Sequence, residues 1–382
     1  MDLICFSHLR WNFVYQRPQH LLTRFAGSYR VFYVEEPLFT SDPKGGLSIR
    51  KVAAQLWVIT PELAQGLSPK EIVTAQQELL VALFDQFSIH PDIFWYYTPM
   101  ALPFTKGFAP ELTVYDCMDE LSNFKFAPPE LKTLEADLFR KADVVFTGGH
   151  NLFSAKKNSH ANIWPVPSSI EKEHFAMART CKECPADQAL IPGPRFGYYG
   201  VIDERMDINL IREVAEQRPD WHFVMLGPVI KIDPACLPQL PNVHFLGGKS
   251  YAELPLYLGG WDIAMVPFEL NDSTKYISPT KTPEYLSGGV PVISTAIVDV
   301  VHPYGTKQLV HIVGNATEFI EAAQKELACT DRIAWLKKVD EFIKDDSWDN
   351  TYKHMSRVID KTRKGFQQQT TLTQPQNNVI HV

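Results

Sequence analysis

A lysine and a glutamate three residues apart carry side chains that could bind a nucleotide. Lys281 and Glu284 follow Ser278-Pro279-Thr280, which is typical of a helix start with a Ser or Thr cap and an early proline. Residues three apart on a helix share one face. An ammonium in the first turn can meet a diphosphate, and a carboxylate one turn later can accept from ribose hydroxyls. The spacing therefore predicts half of a nucleotide site.

The elements around this pair are those of an open α/β sheet. The apolar run 262–266 ends at Pro267 and indicates a buried parallel strand. Gly288-Gly289 ends the helix, and 292–294 is the next buried strand. In such sheets ligands bind beyond the carboxyl ends of strands, near helix N-termini. The pattern thus places the pair where a nucleotide would bind.

Two acidic residues at another strand end are candidates for acid–base chemistry. Asp116 and Asp119 lie at the carboxyl end of the apolar strand 112–117. A carboxylate there can take the proton of an acceptor hydroxyl as general base. The alternatives are that Asp119 caps a following turn and that Asp116 makes a structural hydrogen bond. His150, after the strand 143–147, is either a site residue or a turn histidine.

Length and composition exclude several classes of protein. The 382 residues, 45% hydrophobic and 21% charged, indicate a soluble globular protein of two or three domains. A net charge of −7 argues against a nucleic-acid partner. The start reads as a strand rather than a signal peptide, and no apolar run is long enough to predict a transmembrane helix. The sequence therefore favours a cytoplasmic protein.

The six cysteines are scattered, which fits reduced thiols in a cytoplasm. Cys181 and Cys184 have the spacing of a zinc or redox pair, but the sequence offers no second pair to complete four ligands. We interpret them as linker cysteines without function, and we predict no metal.

The chain opens on a βαβ unit, which predicts a parallel sheet. A strand at 2–7 is followed by a helix from Pro18 to Gly27 and a strand at 30–35. The first loop lacks GxGxxG, which disfavours a dinucleotide oxidoreductase. Hydrophobic periodicity is lost between Pro165 and Pro194, and a second αβ series then begins.

The segment SPTKTPEYLSGGVPVIST, residues 278–295, resembles the donor-binding segment of GT-B glycosyltransferases, in the large group that includes retaining family four. The typical pattern of that family is a proline-lysine pair, a glutamate, a small-residue turn and then Pro-Val-Val. Looser similarity covers most of the chain. Many relatives carry two glutamates eight positions apart, whereas Tyr276 stands eight before Glu284 and Glu269 is out of register. The resemblance is thus to the branch with lysine plus one glutamate.

The resemblance implies an α/β fold of two Rossmann-like parallel-sheet domains that face each other across a cleft. The expected divisions are an acceptor-binding domain at 1–166, a linker at 167–193, a donor-binding domain at 194–346, a crossover helix at 347–366 that packs on the first domain, and a disordered tail at 367–382.

The resemblance also assigns roles to individual residues. The expected donor-binding residues are Lys281, Glu284, Arg205, Gly200, Tyr199, Thr280 and Lys249. The expected catalytic residues are Asp119 and His150, and the expected acceptor-side residues are Arg17, His20 and Trp11. The plainer alternatives are that Arg17 and His20 are polar groups at the surface, that Trp11 packs against its neighbours, and that Arg205 is an exposed charge before a helix.

The expected function is transfer of a sugar from a nucleotide-diphosphate donor, UDP-linked, to a hydroxyl of a glycan or lipid-linked glycan in cell-surface polysaccharide biosynthesis. No metal is expected, and the resemblance places the protein in the cytoplasm with contact to the inner face of the plasma membrane. Family-four kinship suggests retention, whereas an aspartate base would suit inversion. The alternatives are a sugar-nucleotide epimerase of the same fold and a non-catalytic sugar-nucleotide-binding partner of a polysaccharide assembly complex.

Overall fold

The structure, a computed structural model, describes residues 1–181 and 183–373, and the side chains of these up to residue 365. The strands are β1 (Asp2–Ser7), β2 (Arg30–Glu35), β3 (Leu38–Thr40), β4 (Gly46–Ala53), β5 (Leu56–Ala64), β6 (Pro91–Tyr96), β7 (Leu112–Cys117), β8 (Val144–Thr147), β9 (Ile163–Pro165), β10 (Arg195–Tyr199), β11 (His222–Leu226), β12 (Val243–Gly247), β13 (Ile263–Val266), β14 (Val292–Ser294) and β15 (His311–Ile312). The α-helices are α1 (Arg17–Phe25), α2 (Pro69–Phe87), α3 (Leu102–Thr105), α4 (Leu131–Lys141), α5 (His150–Lys156), α6 (Lys172–Ala176), α7 (Ala186–Ala189), α8 (Ile208–Gln217), α9 (Leu254–Leu258), α10 (Lys281–Ser287), α11 (Val298–Val300), α12 (Ala316–Leu327), α13 (Ile333–Phe342) and α14 (Trp348–Thr373).

The strands form two separate sheets, one in each lobe of the molecule. The N-terminal lobe has the order β3-β5-β2-β1-β6-β7-β8-β9, with β4 antiparallel to β5. The C-terminal lobe has the order β12-β11-β10-β13-β14-β15, and its strand pairs are parallel. In both lobes the first strand lies inside the sheet, so the order reverses there, as in doubly wound folds. The predicted pair of Rossmann-like domains is confirmed.

Helices cover both faces of the first sheet because its central strands are apolar on both sides. Leu3 and Cys5 of β1 belong to one buried cluster, whereas Ile4 and Phe6 belong to the cluster on the opposite face. Alternate strand residues point to opposite faces, so a strand covered on both sides becomes a continuous apolar run. This burial holds the carboxyl ends of the strands rigidly, and these ends support the loops that follow them.

The last helix returns to the N-terminal lobe, as predicted. Trp348, Met355 and Ile359 of α14 lie fully buried in the core of that lobe. The Ser347 hydroxyl accepts a hydrogen bond from the backbone N–H of Asn350 at 3.1 Å, which caps the helix start. The helix continues to Thr373, so the first seven residues of the predicted tail at 367–382 are helical. Three glutamines at 367–369 favour this continuation; residues 374–382 lie outside the described part.

The predicted linker at 167–193 is packed against the C-terminal lobe. It contains α6 and α7, and its Phe175 and Ile191 belong to the core of that lobe. Only a few apolar side chains of the segment make this contact, which is why its hydrophobic periodicity did not predict the packing. Cys181 and Cys184 are free thiols. Within the described residues we find no cluster of three metal-binding side chains and no helix able to span a membrane.

Candidate active site

A cavity of about 440 Å³ lies between the two lobes. The N-terminal lobe contributes the loop after β1, residues 11–16, and the C-terminal lobe contributes the ends of β10 and β11 and the start of α10. Trp11 and all seven residues predicted to bind the donor line it: Tyr199, Gly200, Arg205, Lys249, Thr280, Lys281 and Glu284. The fold thus gathers into one space residues that the sequence placed in four separate segments.

Glu284 is held in the first turn of α10 with its carboxylate ready to accept hydrogen bonds. Its side chain is buried, and its Oε2 accepts from the Tyr199 hydroxyl at 2.7 Å. Burial raises the pKa of Glu284 to about 7, against the hydrogen bond from Tyr199 and the charge of Lys281. The remaining lone pairs suit the hydroxyls of a ligand.

Lys281 lies against aromatic faces and forms no ion pair with the side chains that the structure describes. Its Nζ lies 5.5 Å from the ring centroid of Tyr198 and 5.8 Å from that of Phe268. Such contacts attract an ammonium without neutralising its charge. Burial and the charge of Arg205 lower the pKa of Lys281 to about 8. The lysine therefore remains available to an anionic ligand.

Two glycine turns make room for the lysine. Gly200 has φ of 140°, and a Cβ there would lie 2.3 Å from Cε of Lys281. Gly227 has φ of 141°, and a Cβ there would lie 1.8 Å from the carbonyl oxygen of Gly200. Other residues rarely adopt such angles, so both positions require glycine. The turns after β10 and β11 therefore pack tightly together and fix where Lys281 lies.

Arg205 is oriented by an aspartate that we did not single out from the sequence. Its Nη2 donates to Oδ2 of Asp203 at 2.7 Å, and its Nε donates to Oδ1 at 3.0 Å. The guanidinium also lies 5.7 Å from the ring centroid of Phe124 in the N-terminal lobe. The sequence signal that could have identified Asp203 is its position two residues before Arg205. The charge of Asp203 offsets that of Arg205 in part, and the ion pair fixes the position of the guanidinium at the cavity.

Asp119 follows β7 and faces cations from both lobes. Burial raises the pKa of its carboxyl, while the charges of Arg205, Arg17 and Lys281 lower it. Its carboxylate makes no hydrogen bond within the described residues, so its lone pairs remain available. Asp119 is near the charged residues of the cavity but is not one of the residues that line it.

His150 does not reach the cavity. The C-terminal lobe's Asp299 accepts the backbone N–H groups of His150 and Asn151, each at 3.0 Å. A Cβ on Gly149 would lie 2.3 Å from Oδ2 of Asp299, so this close approach requires glycine. The side chain of His150 is exposed to solvent. The glycine-rich turn therefore joins the two lobes at a point outside the cavity.

Arg17 is buried beneath the loop after β1 and not exposed to an acceptor. Its Nη2 donates to Oδ1 of Asp116 at 2.8 Å, and its Nη1 donates to the carbonyl of Val166 at 2.8 Å. The side chains of Arg17 and Asp116 are only 3% and 0% exposed. Asp116 therefore has the structural role that we gave as its alternative, and Arg17 is its partner.

His20 belongs to a packed contact between the lobes. Its ring stacks on Trp348 with 4.6 Å between centroids, and Tyr15 meets its edge at 4.7 Å. Tyr15 stacks in turn on Tyr251 of the C-terminal lobe, also at 4.7 Å. Both tyrosines line the cavity. The aromatic richness of residues 11–15 was the sequence signal for this contact, which closes one end of the cavity.

Comparison with known sequences supports the resemblance. No family model matches the chain. A relative is TuaH of Bacillus subtilis strain 168, a candidate teichuronic acid biosynthesis glycosyltransferase. It is 25% identical over 289 residues, which cover 70% of this chain and 68% of TuaH.

Comparison with solved structures confirms the predicted GT-B fold. Sucrose-phosphate synthase from Thermosynechococcus elongatus superposes with a TM-score of 0.71 at 15% identity, covering 94% of this chain and 98% of the synthase. The catalytic domain of starch synthase IV from Arabidopsis thaliana, bound to ADP and acarbose, gives 0.65 at 10% identity and covers 95% and 99%. Both are GT-B glycosyltransferases, so the two-lobed architecture extends over nearly the whole chain.

Proposed function

We propose that this protein transfers a sugar from a nucleotide-diphosphate donor to a hydroxyl of an acceptor glycan. One observation carries the proposal: the predicted donor-binding residues of the C-terminal lobe line a single cavity that the N-terminal lobe closes from the opposite side. The sequence relative and the structural neighbours are named as glycosyltransferases or synthases, which favours transfer over the epimerase and the non-catalytic partner.

In the proposed mechanism the C-terminal lobe stabilises the leaving group. The bond between the anomeric carbon and the diphosphate breaks, and the ammonium of Lys281 and the guanidinium of Arg205 neutralise the charge that develops. This assignment leaves no task for a metal ion. Glu284, oriented by Tyr199, accepts the ribose hydroxyls. Backbone groups around Lys249 hold the base, which we propose is uracil.

The N-terminal lobe supplies the acceptor side of the reaction. The acceptor oxygen forms the new bond to the anomeric carbon, and its proton passes to Asp119 or is oriented by it. Burial raises the pKa of Asp119, which makes the carboxylate a stronger base. Closure of the lobes by the stacked Tyr15 and Tyr251 excludes water from the donor.

We propose a glycan or lipid-linked glycan of cell-surface polysaccharide as the acceptor. The support is the likeness to TuaH, whose name places it in teichuronic acid biosynthesis. A lipid-linked acceptor would bring the protein from the cytoplasm to the inner face of the plasma membrane.

The test separates donor binding from turnover. A panel of nucleotide sugars is screened by thermal shift, and product release is then measured with Asp119→Asn. We expect the donor-induced shift to remain while turnover falls by roughly a hundredfold or more, the usual contribution of a general base. Asp85→Asn, at an exposed position on α2, serves as the matched control.

Three results would count against the proposal. Unchanged turnover in Asp119→Asn would remove this residue from the mechanism. A panel in which no nucleotide sugar raises the melting temperature would overturn the function itself. Turnover that a chelator abolishes would contradict the assignment of charge neutralisation to Lys281 and Arg205.

A further inference from the structure

A row of basic side chains runs along the outer face of α14. Lys353, Arg357, Lys361 and Lys364 are spaced by four, four and three residues, so they share one side of the helix. All four are exposed, and none forms an ion pair within the part of the chain whose side chains are described. Asp360 is the acidic residue on this stretch. In a chain of net charge −7, this row is a local concentration of positive charge.

A tryptophan lies beside the row. Trp164 belongs to β9, the edge strand of the first sheet, and remains 36% exposed. Its indole N–H donates to Oδ1 of Asn162 at 2.7 Å, and its ring meets the ring of His354 at 6.0 Å in an edge-to-face arrangement. The ring is therefore fixed at the surface rather than folded into the core.

Trp164 and two members of the row, Arg357 and Lys361, line one groove of about 480 Å³. We call this surface the Trp164 face, defined by Trp164, Lys353, His354, Arg357, Lys361 and Lys364. Its members do not line the cavity between the lobes. A ligand of the Trp164 face would therefore bind independently of the donor.

We propose that the Trp164 face docks on an anionic lipid bilayer. This inference deepens the proposed contact with the membrane, and only the biological purpose of the docking rests on the proposed function. Tryptophan prefers the level of lipid headgroups, and lysine and arginine are attracted to anionic ones. Binding to a bilayer strengthens with the apolar area buried and with electrostatic attraction to anionic lipids, and this face supplies both.

The extent of the row distinguishes a bilayer from a single small anion. A small phosphate ligand would need donors that converge on one point. Lys364 lies eleven positions after Lys353, and at the usual helical rise the row extends over about 16 Å. Charges in an extended line match an array of headgroups, and the long basic side chains can reach it while Trp164 inserts between lipids.

The test measures binding of the full-length protein to vesicles by sedimentation. Vesicles of phosphatidylcholine alone are compared with vesicles that also contain phosphatidylglycerol, and soluble polyglutamate serves as a competing polyanion. We expect binding to the anionic vesicles only. Arg357→Glu/Lys361→Glu should weaken it about 30-fold from the two lost attractions alone. Trp164→Ala should weaken it less, and polyglutamate should not displace the protein from the vesicles.

A matched control changes the same charge elsewhere. Lys337→Glu/Lys338→Glu, at exposed positions on α13 of the C-terminal lobe, should leave vesicle binding within a factor of about two. Binding that both double variants weaken equally would indicate overall charge and overturn the assignment to this face.

Other results would also overturn it. One is native protein that does not sediment with anionic vesicles, and another is complete displacement of the bound protein by polyglutamate. A third is a native dimer that Arg357→Glu/Lys361→Glu dissociates, since the face would then bind a second copy. The donor-induced thermal shift, measured on the same variants, should be unchanged. If that shift is retained while vesicle binding is absent from the native protein, this inference fails and the proposed function stands.

Discussion

Each lobe holds a cation and a carboxylate in a buried or partly buried setting, yet the two sets behave differently. In the N-terminal lobe, Arg17 and Asp116 come from positions 99 residues apart and bond directly, with 2.8 Å between Nη2 and Oδ1. In the C-terminal lobe, Lys281 and Glu284 are three residues apart, and Glu284 instead bonds to the hydroxyl of Tyr199. The first pair satisfies itself, whereas the second leaves its charges for a ligand.

The pKa directions of the two cations express this difference, since burial raises the pKa of both Asp116 and Glu284. Burial alone would lower the pKa of Arg17, but the charge and hydrogen bonds of Asp116 outweigh it and raise that pKa. Burial lowers the pKa of Lys281 and raises that of Glu284, so both groups are moved toward their neutral forms. Perturbation of this kind clusters at functional sites because a ligand, rather than the protein, supplies the missing partner. A buried cation and carboxylate therefore indicate structure when they bond to each other and function when they do not.

The largest expected effect breaks the N-terminal pair. Asp116→Ala leaves the guanidinium of Arg17 buried without a counter-ion, and the free energy of unfolding should fall by about 3–5 kcal/mol. Urea denaturation measures this loss, and Arg17→Met/Asp116→Leu, which removes both charges, should lose less. Unchanged stability together with lost turnover would assign the pair to catalysis and remove the contrast between the lobes.

The next effect removes the cation of the C-terminal pair. Lys281→Ala should lower kcat/KM by about 100- to 1,000-fold, because the leaving diphosphate loses a preorganised positive charge. Its free energy of unfolding should stay near that of the native protein, since no ion pair is broken. Steady-state kinetics and urea denaturation measure the two quantities. Lys275→Ala, at an exposed position before α10, is the control and should change neither.

The smallest effect concerns pH. Below pH 7 Glu284 takes up a proton and no longer accepts strongly from hydroxyls, and above pH 8 Lys281 loses its charge, given pKa values of about 7 and about 8. Donor affinity, measured by calorimetry, should therefore be highest between these two pH values. It should fall about tenfold at one pH unit below the pKa of Glu284. Glu284→Gln should flatten the acid limb alone; an unaltered profile would show that Glu284 does not titrate there.

The same contrast explains what the sequence could predict. The C-terminal site is local: one contiguous segment, 278–295, carries Thr280, Lys281 and Glu284, and the turn at Gly200 has its own signal. The sheets were predictable for the same reason, since a βαβ unit is read from neighbouring residues. Local patterns are sufficient wherever the partner of a residue is near in sequence.

The N-terminal site depended on distant partners, and there the prediction departed from the structure. Arg17 and His20 look like polar groups available to an acceptor, but Asp116 pairs with the first and Trp348 stacks on the second. Nothing in the spacing near residue 20 indicates that a strand end and a helix from the far end of the chain will cover it. Trp11, six residues before Arg17, does line the cavity.

The returning helix has a consequence for how the protein is synthesised. Trp348, Met355 and Ile359 are fully buried members of the core of the N-terminal lobe, although they follow the whole C-terminal lobe in the sequence. Domains usually fold in the order in which they are translated. Here the first lobe cannot complete its core until the segments of the second lobe and α14 have emerged, so the second lobe should mature first. Protease resistance of the first lobe in nascent chains stalled at residue 346 would contradict this order.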